Sequence, residues 1–276
     1  MTLVDVNGIR LNYEIHGSGA PVVLIGGLGA DTFLWSHQIP AVAQRFQVIV
    51  FDNRGAGESD KPDEPYTIPM FAADTAGLMT ALGIERAHVV GASLGGMIAQ
   101  ELALTHPEMV DRLVLVCTTF NGPGSVRPSL WSLIPILFAA RRTGDPANDI
   151  RRSFAVFTST KWMDANRDVV DEYVAWRVAH PQPSFAFKRQ RQAIRGFTTA
   201  DRLGGITAPT LIVHGDSDRV VPVANAELMA QRIPRSTVAI LENSGHACTF
   251  DQRERFNQVV IEFLTSEIAG DERRRS

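Results

Sequence analysis

Gly91-Ala92-Ser93-Leu94-Gly95-Gly96 is the stretch that decides how this chain folds. It matches G-x-S-x-G. The residues before it, His88-Val89-Val90, predict a strand, and Leu94 to Thr105 predicts a helix stopped by Pro107. A serine at the apex of so tight a turn takes a strained backbone conformation. Positions two before and two after it must then be small, or their side chains would collide; Gly91 and Gly95 meet that need. An ordinary glycine-rich connection is the bland alternative, but the strand-turn-helix setting favours an exposed nucleophile.

Working outward, short apolar runs alternate with helical patterns, which predicts an α/β protein with a mostly parallel, doubly wound sheet. Pro21-Val22-Val23-Leu24-Ile25, Gln47-Val48-Ile49-Val50-Phe51, Arg112 to Cys117, Thr210-Leu211-Ile212-Val213-His214 and Thr237 to Leu241 read as strands, mostly buried on both faces. Ile9 to Ile15 alternates apolar and polar residues and reads as an edge strand. Helices are expected at Phe33 to Phe46, Ile68 to Leu82 (closed by Gly83), Ala224 to Arg232 and Arg253 to Glu267. From about Phe120 to about Gly205 no buried strand is visible. Helical patterns take over at Leu130 to Arg142, Ile150 to Phe157, Val169 to Ala179 and Phe185 to Ile194, with three of the four tryptophans (Trp131, Trp162, Trp176). The expected organisation is a core of residues 1–120 and 205–276 interrupted by a helical lid at 121–204.

A serine hydroxyl is a poor nucleophile without a base to take its proton and an acid to orient that base. At a serine elbow of this kind they follow in the order acid, then histidine. Gly215-Asp216-Ser217-Asp218 lies just past a buried strand, where such sheets hold their sites. Two aspartates therefore compete for the acid. His246, in Asn243-Ser244-Gly245-His246-Ala247, follows the next strand and is the candidate base; His214 is its rival. Negative charge on a carbonyl oxygen calls for free backbone N–H groups. Leu94, at a helix N-terminus, supplies one, and Leu28, in Gly26-Gly27-Leu28-Gly29, is expected to supply the other. The glycines do not form a phosphate loop, since neither G-x-G-x-x-G nor G-x-x-x-x-G-K-[ST] occurs. No His-x-His, His-Glu-x-x-His or paired-cysteine spacing suggests a metal, and no cofactor is expected.

The bulk numbers are those of an ordinary globular protein: 276 residues, 45% hydrophobic, 21% charged, formal net charge -3. That balance argues against nucleic acid or an anionic membrane as partner. Cys117 and Cys248 are too few for a disulfide framework and are expected to be reduced. No signal peptide is visible. The longest apolar stretch, Leu130 to Ala140, is about half of what a spanning helix needs, so the cytoplasm is the expected address. The polar tail from Gly270 to Ser276, with Arg273-Arg274-Arg275, is expected to fray.

Taken together, Gly26-Gly27-Leu28-Gly29, Asp52-Asn53-Arg54-Gly55-Ala56-Gly57-Glu58-Ser59, Gly91 to Gly96, Gly215 to Asp218 and Ser244-Gly245-His246 resemble the α/β-hydrolase superfamily. The resemblance implies a Ser93-Asp218-His246 triad, because the family's acid is the Asp of Gly-x-x-Asp with a turn toward proline, here Pro222. It implies a structural role for the Asp52 to Ser59 turn. One departure is Gly26, where many members carry histidine. Ser93 is unlike the elbow aspartate of haloalkane dehalogenases and epoxide hydrolases. The subgroup flavour is similar to 3-oxoadipate enol-lactonases and small carboxylic-ester hydrolases. The expected activity is hydrolysis of an ester or lactone, apolar or aromatic given the lid's composition, through an acyl-enzyme. Carbon–carbon bond hydrolysis, perhydrolysis and a low-turnover ligand sensor are the alternatives. Oligomeric state and natural substrate are not legible.

Overall fold

The computed structural model describes residues 2–139 and 143–267; the predicted end of the helix at Arg142 and the tail from Gly270 lie outside them. The strands are β1 (Thr2–Val6), β2 (Ile9–His16), β3 (Ala20–Ile25), β4 (Phe46–Phe51), β5 (Ala87–Ala92), β6 (Val110–Val116), β7 (Thr210–Gly215) and β8 (Ser236–Leu241). They form one sheet in the order β1-β2-β4-β3-β5-β6-β7-β8. β1, β2 and β4 pair antiparallel, and every pairing from β4 to β8 is parallel. Each parallel link needs a crossover, and the helices supply it.

Between β3 and β4 lie a 3₁₀ turn (Thr32–Trp35) and the short α1 (Ile39–Val42). The single helix expected from Phe33 to Phe46 is thus two pieces, because Pro40 can sit only in a helix's first turn and the chain restarts there. α2 (Ile68–Ala81) follows β4, with Thr67 Oγ1 accepting the Met70 N–H at 3.3 Å as its cap. α3 (Leu94–Thr105) follows β5. Between β6 and β7 run α4 (Leu130–Ala139), α5 (Pro146–Phe157), α6 (Thr160–Ala165), α7 (Arg167–Ala179) and α8 (Ser184–Arg195). α9 (Ala224–Ala230), α10 (Cys248–Asp251) and α11 (Arg253–Thr265) complete the chain. The Ile9 strand is not the edge: β1 pairs outside it, from Thr2↔Tyr13 to Val6↔Ile9. Thr2 to Val6 is exposed over most of its length, so no buried run marks it as a strand.

The pleat explains the two cores. Val23 and Ile25 point to one face, with Val89, Leu113, Leu115 and Ile212, and pack on α2 and α3. Val22 and Leu24 point to the other, with Val48, Val50, Val90, Val114 and Val116, and pack on Trp35 and α11. A third cluster joins the insertion to the sheet's C-terminal end: Phe154, Val169, Val170 and Val174 close on Phe250. Not all of the insertion's apolar residues do this, since Trp131 is 82% exposed on α4. Among the described residues no helix is long and apolar enough to cross a membrane.

Candidate active site

Parallel strands collect their C-terminal ends along one rim, and β3, β5, β7 and β8 deliver the site there. Ser93 follows β5 and has φ 54° and ψ -112°, a strained conformation for a residue with a side chain. Its neighbours leave no alternative. A Cβ on Gly91 would lie 2.2 Å from the Gly95 carbonyl oxygen, and one on Gly95 would lie 2.1 Å from that of Ile25. Two bonds hold the turn: the Ser93 N–H donates to Val116 O at 2.8 Å, and the Thr118 hydroxyl donates to Ser93 O at 2.7 Å.

The Ser93 hydroxyl lies 3.0 Å from His246 Nε2, and His246 Nδ1 lies 2.8 Å from Asp218 Oδ2. With its proton on Nδ1, the imidazole donates to the carboxylate and accepts from the serine. The Asp218 carboxylate is fully buried, and its other oxygen accepts the N–H groups of Val220 and Val221 at 2.8 and 2.9 Å. Burial alone would push this carboxyl up, yet His246 and His214 hold it well below the usual carboxylate range. Asp216 is the aspartate left out. It accepts the N–H groups of Asn243 and Ser244 at 3.0 and 3.2 Å and so shapes the loop that carries His246. His214 does not approach the serine. It is fully buried, and its Nε2–H is directed to Val221 O at 2.9 Å, with Asp218 Oδ2 at 3.3 Å.

Two residues with no sequence signal also shape the site. Asp251, on α10, accepts the Ser244 hydroxyl at 2.6 Å and the Gly245 N–H at 2.8 Å. Burial pushes its carboxyl up to about 6 against those two bonds, with Asp218 and Asp216 adding to the rise. Phe157, at the end of α5, accepts the Ala247 N–H at 2.9 Å, and its ring centroid is 5.7 Å from that of His246. Asp251 follows His246 by five residues but belongs to no motif, and Phe157 ends a helix whose pattern shows only burial.

The Gly26 to Gly29 loop runs against the serine: a Cβ on Gly27 would lie 3.5 Å from Ser93 Cβ. The Gly26 carbonyl accepts from Asn53 Nδ2 at 3.0 Å, and the Gly29 N–H donates to Gln190 Oε1 at 2.9 Å. Among the described residues, the N–H groups of Leu28 and Leu94 donate to no recorded partner. The 52–59 turn is structural: Asp52 accepts from Asn12, Thr32 and Glu58 at 2.8 to 2.9 Å, and Arg54 Nη2 donates to Asp74 at 2.9 Å.

Cys117, His214 and Asp218 have ligand-type atoms within 4.8 Å of one another. They suit a metal poorly. The Cys117 thiol is pushed well above its ordinary value by its hydrogen bond to the Cys248 sulfur and by burial, which disfavours the thiolate a metal needs, and Asp218 already serves two imidazoles.

The family described as alpha/beta hydrolase fold matches residues 20–252. The chain belongs to that family, and it is a hydrolase. Among curated relatives, "Putative carbamate hydrolase RutD" of Azorhizobium caulinodans is 33% identical, over 92% of this chain and 94% of that one. Among solved structures, the enol-lactonase from Burkholderia xenovorans LB400 superimposes with a TM-score of 0.84 at 27% identity, covering 96% of this chain and 100% of that one. The meta-cleavage product hydrolase CumD from Pseudomonas fluorescens IP01 has a TM-score of 0.81 at 29% identity, covering 96% and 97%.

Proposed function

We propose that the chain is a serine hydrolase acting on a carboxylic ester or lactone, with Ser93 as nucleophile, His246 as general base and Asp218 as the orienting acid. The observation that carries this reading is the continuous relay from the strained serine through His246 to a buried, ionised carboxylate, at 3.0 and 2.8 Å. Ser93 Oγ attacks the carbonyl carbon while His246 Nε2 takes its proton. The N–H groups of Leu28 and Leu94 receive the resulting oxyanion. The tetrahedral species collapses, His246 returns the proton to the leaving alkoxide, and an acyl-serine remains. Water, deprotonated by His246, then releases the acid and restores the serine. Helices α4–α8 act as the lid: Phe157, Gln190 and the Trp176–Asp31 bond at 3.0 Å tie them to the rim. Their aromatic content favours an apolar or aromatic small molecule, and the cytoplasm is the proposed address.

Ser93→Ala should lower turnover of short-chain p-nitrophenyl esters by several orders of magnitude with the fold retained. Undiminished turnover would remove Ser93 from the scheme. A second reading comes from the relatives named for carbamate hydrolysis, since the same relay can attack a carbamate carbonyl. The likeness to a meta-cleavage product hydrolase keeps carbon–carbon bond hydrolysis in view. One panel of esters, lactones, carbamates and vinylogous diketones, run against wild type and Ser93→Ala, separates them.

A further inference from the structure

Gln190 lies on α8, far in sequence from every motif, and is fully buried. Its Oε1 accepts the Gly29 N–H at 2.9 Å, and its Nε2 donates to the Arg54 carbonyl at 2.8 Å. Gln182 Nε2 approaches the same Oε1 at 3.3 Å and donates to Gly55 O at 2.6 Å. The other end of the Gly26 to Gly29 loop is held by Asn53, the residue before Arg54. Arg54 is itself fixed by the buried carboxylate of Asp74. A rigid turn therefore grips one end of the loop directly and the other through a single glutamine. The insertion approaches closely here: a Cβ on Gly29, whose φ is +69°, would lie 2.6 Å from Gln182 Oε1 and 3.1 Å from the Phe187 ring.

We propose that Gln190 is a positioning residue for the oxyanion site, aiming the Leu28 N–H by anchoring the next amide along the loop. The proposal rests on the serine-hydrolase reading above. By binding the Gly29 N–H, Gln190 withdraws that donor from the oxyanion site. It also fixes the peptide that follows Leu28, so the loop cannot rotate without breaking a buried bond. A misplaced donor weakens transition-state binding far more than substrate binding, because the oxyanion exists only in the former.

The test compares Gln190→Met, which keeps the volume and loses both bonds, with Gln190→Glu, whose protonated carboxyl keeps an acceptor for Gly29 and an O–H donor for the Arg54 carbonyl. With p-nitrophenyl butyrate, Gln190→Met should lose kcat about ten- to a hundredfold while KM stays within about twofold. Inhibition by phenylboronic acid, which bonds to the serine oxygen and places a hydroxyl in the oxyanion site, should weaken by a similar factor. Deuterium exchange across residues 26–30 should speed up, and Gln190→Glu should recover much of the lost kcat. A folded Gln190→Met with wild-type kcat and boronate affinity overturns the proposal, as does a loss confined to KM. If Gln190→Met does not fold, Gln190→Asn, too short to span Gly29 and Arg54, is read in the same way. Wild-type protein that neither cleaves the ester nor binds the boronate sinks the serine-hydrolase reading, and this proposal with it.

Discussion

His214 Nε2 lies 3.3 Å from Asp218 Oδ2, the same oxygen that His246 Nδ1 reaches at 2.8 Å. One buried carboxylate thus faces two imidazoles, one in the proposed relay and one sealed in the core. A donor on the far side draws negative charge from the oxygen that supports His246. His214→Phe should leave Asp218 more basic and strengthen its bond to the His246 Nδ1–H, so the downfield NMR resonance of that proton should move. An unmoved resonance in a folded variant would show that the contact does not reach the relay.

The two neighbouring aspartates give a sharper contrast. Asp218→Asn disrupts the tautomer that the relay needs, and kcat should fall about 10³- to 10⁴-fold. Asp216→Asn only loosens the loop at Asn243 and Ser244, so its loss should stay below about tenfold with some loss of stability. Equal losses in steady-state assays would refute the assignment of the acid.

Gly95 tests the elbow separately from its chemistry. An alanine Cβ there would lie 2.1 Å from Ile25 O and 2.8 Å from Gly26 O, both backbone atoms of the central strand and the loop after it. Neither can yield without moving β3. Gly95→Ala should therefore destabilise by more than about 3 kcal/mol or fail to fold. Ser93→Ala should keep its melting temperature within a few degrees, and calorimetry of both variants compares them directly.

Asp251 predicts a pH dependence of stability. Its folded value of about 6 exceeds the unfolded one of about 3.9, so the folded chain binds more protons between them. Stability from this group falls as pH rises through that window and is level above it. The swing is no more than about 3 kcal/mol. Asp251→Asn loses hydrogen bonding at every pH but does not titrate. Its melting temperature relative to wild type should climb by roughly 5 °C from pH 4 to pH 6.5. Parallel curves would mean that Asp251 titrates normally.

Cys117 and Cys248 are both buried, with the sulfurs 3.5 Å apart, well beyond a disulfide bond. The native protein should react negligibly with a thiol reagent over minutes, and denatured protein should give two equivalents. Fast labelling without unfolding would contradict that burial.

The residue sequence by itself determined the parallel sheet, the elbow and the order of the serine, acid and histidine segments. Those features are local: an apolar run, a glycine forced by a collision, a loop past a strand end. Tertiary structure alone decided which neighbour each polar group meets. Asp216 and Asp218 are two residues apart with the same side chain; the family resemblance favours Asp218, and the folded chain turns only that one toward His246. The Phe33 to Phe46 stretch has helical spacing, but Pro40 and packing on the sheet divide it. Gln190 and Asp251 carry no motif, because a buried hydrogen bond links residues by position in space, and one-dimensional periodicity records only which side faces inward.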